Sequence, residues 1–173
     1  MFYTAGALVL SATSALAATD GTVGATSTGT INVSIEILEE VQITGFVANG
    51  DIDFGIWDST SVTDEDSVVN VCVYRNHGPN YGVTVTTDTG AFELAGAAVP
   101  ANVIPFGIVW DLAGEDTAVV YNTRFTSATG EATVDCGATF PVPVEFRITN
   151  AALNAQTNLD TYSALVTFVV DPE

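Results

Sequence analysis

The chain has 173 residues and carries 21 Asp and Glu against 3 Lys and Arg, a net charge of −18. That balance excludes recognition of nucleic-acid phosphates, which needs a cationic surface, and it disfavours anionic lipid. With 47% hydrophobic residues the chain can still bury the core of one domain, so the acidity means solubility, mutual repulsion and suitability for a salty habitat rather than disorder.

The first residues, "MFYTAGALVLSATSALAATD", read as a secretion leader. An apolar stretch runs into the small-x-small end Ala15-Leu16-Ala17, although no Lys or Arg precedes it. Cleavage after Ala17 leaves 156 residues (173 − 17) at unchanged charge. The stretch is too short and too rich in small residues for a membrane span, so no membrane contact is expected of the mature form. The expected organisation is a leader at 1–17, an N-terminal extension at 18–38 and one β-sandwich domain at 39–173.

The extension contains "STGTINVSIEILEE", residues 27–40, in which Ile31, Val33, Ile35 and Ile37 alternate with Asn32, Ser34 and Glu36. That is a period-2 strand with one apolar face. Asn32-Val33-Ser34 also matches a glycosylation sequon, but a glycan inside a pairing strand obstructs it, so the match reads as chance.

Helical periodicity is nearly absent beyond one short turn in "AALNAQTNL" (151–159). Short strands are expected at 41–46, 52–57, 67–74, 81–87, 92–94, 103–112, 118–125, 140–148 and 162–170, between Gly, Asn, Asp, Pro and Thr punctuation. This spacing predicts an all-β, immunoglobulin-like sandwich. Gly55 inside "IDFGIW" suggests a bulge or a close backbone approach. Pro141 and Pro143 cannot donate to a ladder, so the 140–148 strand is expected at an edge or bulged.

In the last strand Tyr162, Ala164, Val166, Phe168 and Val170 share one face, and Leu165 and Val169 make the other partly apolar. Such a strand is expected to be covered on both sides and central in its sheet. Only Asp171, Pro172 and Glu173 follow Val170 in the given sequence. An immunoglobulin-like sandwich without a closing strand exposes a core groove beside an unpaired edge. Periodicity alone leaves two readings of residues 27–40 open: a first strand of this sandwich, or a strand donated to a neighbour.

Cys72 and Cys136, with 63 residues between them (73–135), make an even count in an exported chain. They read as a disulfide, with two buried free thiols as the alternative. No C-x-x-C and no His partner points to a metal. Cys72 alternates with Val71 and Val73, which leaves open which of them faces the core.

Chemistry is sparse. His77, the single histidine, lies in the loop "RNHGPNYG", no G-x-S-x-G elbow exists and there is no lysine. With 21 acidic residues, chance explains any carboxylate pair chosen as a glycosidase site. No catalysis and no cofactor is expected. "DSTSVTDED" places Asp58, Asp64, Glu65 and Asp66 close together, as calcium loops do, but without the D-x-[DN]-x-[DN]-G spacing. It reads as a solvated acidic loop.

The order of motifs resembles one family. "TGTINVSIEIL" behind a leader, "VQITG", the Phe-Gly motif "IDFGIW", "VNVCVY", "YGVTVTTDTGAFEL" and "LDTYSALVTFVV" run as in the spore-coat-U-like pilins of archaic chaperone–usher pili. The likeness spans most of residues 27–170. That family usually bonds a Cys of its first strand, whose neighbourhood Val41 occupies here, to one in the second; here the partner of Cys72 would be Cys136 instead. The resemblance implies a non-enzymatic structural subunit of a secreted surface fibre, serving adhesion or biofilm formation. Each subunit would be an incomplete sandwich that receives the N-terminal strand of the next, head to tail, after a periplasmic chaperone and an outer-membrane usher have handled it. Ile31, Val33, Ile35 and Ile37 would then be the donor residues. Tyr162, Ala164, Val166, Phe168 and Val170 would line the acceptor groove. The competing readings are a surface-layer building block and a monomeric secreted binding module, for example a carbohydrate binder, with Trp57, Trp110, Tyr74 and Tyr81 on its binding face.

Overall fold

A computed structural model describes residues 18–112, 115–127 and 130–173; the leader expected at 1–17 lies outside the described residues. The chain divides into two compact units between Leu38 and Glu39. In the first, Thr19 and Thr30 form an antiparallel bridge with paired backbone hydrogen bonds of 3.0 Å. Residues 31–38 belong to no helix or strand. The strand expected at 27–40 is therefore not formed as a ladder in this chain: Thr30 makes a single bridge to Thr19, and residues 31–38 keep their alternation without strand pairing.

The second unit, Glu39–Glu173, is all-β with two short helices. One sheet orders five strands as β1 (Val41–Thr44), β2 (Glu65–Arg75), β9 (Val142–Ile148), β6 (Gly107–Leu112) and β7 (Glu115–Ala118). A second has β11 (Val166–Pro172), β3 (Tyr81–Thr87) and β8 (Phe125–Ser127); a third has β10 (Tyr162–Ser163), β4 (Glu93–Gly96) and β5 (Val103–Pro105). All the strand pairs within these sheets are antiparallel. The core joins β2, β6 and β9 to β3 through Val71, Val73, Val83, Val85, Ile108, Trp110, Val144 and Phe146. This is the immunoglobulin-like sandwich expected from the strand spacing.

Several expected elements are rearranged, each for a local reason. The 52–57 segment is not a strand. Gly55 takes φ +75, and the Asp53 carboxylate accepts its backbone N–H at 2.8 Å, so an Asx-type turn competes with any ladder. The 103–112 run splits at Phe106 into β5 and β6, which join different sheets. Residues 119–124 are a connection rather than a strand, with Asn122 at φ +50. The helical turn after β9 is α2, Asn150–Asn154, whose first turn is capped by the Thr149 hydroxyl accepting from the Ala152 N–H.

The proline-bearing strand is not at an edge: β9 lies in the middle of the five-stranded sheet. Its ladder with β6 ends at Val144, one residue short of Pro143, so the missing N–H falls where β6 no longer pairs. Conversely, the last strand is not central. It breaks at Ala164-Leu165 into β10 and β11, and β11 is an edge strand whose partner is β3. Leu165 and Val169, which suggested a second cover, are 68% and 51% exposed. The break is tied by Asp88, whose carboxylate accepts the Leu165 N–H and whose own N–H donates to Leu165 O.

Cys72 and Cys136 are bonded, with Cα atoms 6.0 Å apart. Val71, Cys72 and Val73 are all fully buried, which resolves the ambiguity of the alternation: Val71 and Val73 enter the core, while Cys72 bonds to the 3-10 turn Val134–Ala138. The bond closes a long loop, for which chain entropy gives about 4 kcal/mol. Replacing both cysteines by serine should lower unfolding free energy by about 2–5 kcal/mol in urea titrations. A change below about 1 kcal/mol would show that the loop is already ordered without the bond.

Candidate functional site

A large concavity of the sandwich is lined in part by the inner face of β11. It is a cavity of about 1160 Å³. Ile43 of β1, Ile104 of β5 and Phe146 of β9 line it, with Tyr162, Ala164, Val166 and Phe168. Val170, one step further along the same face, packs on the core but is outside the lining. All five of these residues are only half-buried, although they face the hydrophobic core. The inner face of β11 is thus a core face left partly open.

Phe168 organises the floor. Its ring stacks on Phe46 of α1 (Phe46–Asn49) at 5.1 Å and meets Trp110 at 6.1 Å and Phe146 at 6.3 Å. These distances are those of favourable aromatic pairs. One side chain from an edge strand therefore anchors that strand to the opposite sheet.

The segment 50–59 forms the other wall. Ile52, Phe54 and Trp57 pack against the core, while Ile56 is fully exposed. The Trp57 indole N–H is buried without a hydrogen-bond acceptor, a situation uncommon enough to mark the spot. Period-2 reading identified the apolar residues of this segment but took them as a strand of the sheet.

Beyond the groove lining, the end of β11 is tied down. Arg75, 3% exposed at the end of β2, donates to Asn80 O, to Glu173 O and, at 3.3 Å, to the Glu39 carboxylate. It thereby ties the start of β1 to the end of β11. Arg124 adds a second hold, with Asp171 at 2.7 Å and Glu173 at 3.1 Å. Its guanidinium lies over Gly82, where any Cβ would collide with it. Nothing in the pattern of the sequence singled out these two arginines; their scarcity was the only available signal.

Ile31, Val33, Ile35 and Ile37 are between 79% and 87% exposed. Four alternating aliphatic side chains in water are an unusual surface for a soluble protein. The aromatic quartet considered for a binding face separates: Trp110 and Tyr81 are fully buried core residues, and only Trp57 and Tyr74 are half-buried. In the acidic loop, Asp58 accepts from Thr60 N–H, Asp64 from Asn150 N–H, and Asp66 pairs with Arg147 at 2.7 Å. Among the described residues no group of three or more His, Cys, Asp or Glu is placed to hold a metal ion. Among them, too, no helix is long and apolar enough to cross a membrane.

The Thr126 hydroxyl and then Arg124 hold the Glu173 carboxyl below its usual range. A lowered folded-state pKa contributes stability that is complete above the unfolded value and lost as pH falls through the folded one. Thr126→Ala should raise the Glu173 titration midpoint towards that of an ordinary glutamate, read by NMR. Arg75→Ala should cost on the order of 3 kcal/mol, because two backbone carbonyls lose a charged donor. Urea midpoints check it, and an unchanged midpoint would show that the end of β11 is held by other contacts.

No protein-family model and no curated protein matches the sequence. Solved structures do resemble it. A chain from a chaperone–tip adhesin complex of CFA/I fimbriae biogenesis superposes with a TM-score of 0.55 at 12% identity, over 77% of this chain and 41% of that one. CfaE, the adhesive subunit of the CFA/I fimbria of enterotoxigenic Escherichia coli, gives 0.42 at 14%, over 70% and 45%. The P pilus rod subunit PapA gives 0.36 at 17%, over 75% and 96%. The chain spans less than half the length of the first two structures it matches. At these identities the likeness is one of fold, and the first match places this sandwich beside a fold found in a fimbrial adhesin complex.

Proposed function

We propose that this chain is a pilin of the spore-coat-U-like kind, a structural subunit of a secreted surface fibre built by donor-strand exchange. The observation that carries the reading is the half-buried inner face of β11 along an apolar groove beside a free strand edge. A second copy supplies what fits it: Ile31, Val33, Ile35 and Ile37, exposed and spaced for one face of a strand. Main-chain hydrogen bonds to β11 would set the register of the donated strand. A backbone carbonyl of that strand would also offer the Trp57 indole the acceptor it lacks. Burying four such side chains is worth roughly 6–12 kcal/mol before ordering costs.

The contact is heterologous, one copy's extension in the next copy's groove, so it does not close and yields a filament. Before assembly the open groove and the unpaired edge are aggregation hazards. A chaperone in the periplasm that covers them, and an usher that exchanges it for the donor, suit that need. Adhesion or biofilm formation is the role such a fibre serves at the cell surface.

Deleting residues 18–38 should abolish filaments seen by electron microscopy and size-exclusion chromatography. Adding a peptide of residues 27–38 to the shortened chain should restore a folded, monomeric species with a raised Tm. Filaments persisting after the deletion would refute the reading. Ile35→Asp in the full chain should slow or stop assembly while leaving the disulfide-bonded sandwich folded.

A further inference from the structure

Given donation, the covalent tether between copies is very short. One residue, Leu38, separates the last donor side chain, Ile37, from Glu39, where the sandwich unit begins. Two residue steps span at most about 7 Å. A copy whose Ile37 sits in a groove must therefore press its own sandwich against the groove mouth. The junction is a surface contact, not a flexible link.

The end of the groove at which this contact forms follows from its shape. The end at the C-terminus of β11 is bridged by Arg75 between Glu39 and Glu173. Towards the start of β11 the groove is lined by residues 158–165, among them the fully exposed Leu159, and Ile56, also fully exposed, lines the groove as well. The donor copy's sandwich is placed at this mouth, away from the Arg75 bridge. The donor then runs antiparallel to β11, which is also the slightly stronger pairing.

The root of the donor segment carries a matching hollow. A shallow concavity of about 560 Å³ is lined by Glu39, Glu40, Val41, Gln42, Tyr74 and Val134. Val134 is 54% exposed there. We infer that, in the donor-strand reading proposed above, the exposed Leu159 and Ile56 at the groove mouth of one copy seat in the hollow formed by Val41, Tyr74 and Val134 at the root of the next copy's donor segment. The interaction surface is thus a knob and a hollow on opposite poles of the same chain. It adds apolar burial to each donor-strand contact and fixes the angle between consecutive copies.

Cysteine pairs separate this inference from the reading beneath it. Full-length chains bearing single added cysteines at exposed or half-buried positions are co-refolded in equal amounts, oxidised and run on denaturing gels without reductant. Gln42→Cys is chosen over Val134→Cys to stay clear of Cys136. Ile37→Cys with Ala164→Cys should give a covalent dimer, and so should Gln42→Cys with Leu159→Cys. A dimer from the first pair alone overturns the pole-to-pole contact while donation stands. A dimer from Ile31→Cys with Ala164→Cys in place of Ile37→Cys reverses the strand direction and overturns the contact as well. Dimers from none of the three pairs overturn donation itself.

Discussion

The structure turns on one asymmetry: among the described residues, β11 carries a core face but pairs with a strand on one side only, β3. A strand with an apolar inner face needs cover across the sandwich, and an unpaired edge leaves its main-chain groups open to another strand. Phe168 supplies the cover, through Phe46, Trp110 and Phe146. The groove and its half-buried lining go with that asymmetry. Arg75 and Arg124 hold the last residues of β11, which would fray as an unsupported edge end. Rigidity at that end and access at the other give the groove a direction.

The general architecture was legible because sandwich strands repeat their side chains with period 2 and are separated by turn residues. That pattern located β2, β3, β9 and β11 to within a few residues. It misplaced others where main-chain geometry outweighs side-chain pattern. Asp53 and Gly55 make a turn inside an apolar run, and the run of 103–112 serves two sheets because its chain breaks at Phe106. Pro143 was read as an edge marker, yet a proline is tolerated in a central strand wherever one neighbour's ladder has already stopped. Leu165 and Val169 were read as evidence of double cover; a sequence shows that a residue is apolar but not whether anything lies over it.

The groove itself was only partly legible. The shared face of Tyr162, Ala164, Val166, Phe168 and Val170 follows from alternation, but the opposite wall does not. Ile52, Phe54 and Trp57 reach the groove from a segment without secondary structure, and Leu159 from the connection between α2 and β10. Such residues become neighbours only through tertiary folding. The arginine clamp is of the same kind: Arg75 and Glu173 are 98 positions apart, and nothing local relates them.

Charge then limits what can join one copy to another. All three cations of the chain are engaged within it: Arg75 with Glu39, Arg124 with Asp171 and Glu173, Arg147 with Asp66 and Glu145. None remains to answer the carboxylates of a neighbour, and two copies at −18 repel each other. Salt reduces that repulsion over about 8 Å at physiological ionic strength, so encounter is sensitive to salt. Cohesion has to come from contacts that salt does not weaken: apolar burial and main-chain hydrogen bonds. The donor-strand assembly proposed above meets that condition: it would rest on an apolar segment in an apolar groove, with little reliance on ion pairs. The acidic surface disfavours approach between copies, and in the donor-strand reading proposed above the groove would be where two like-charged copies gain by touching.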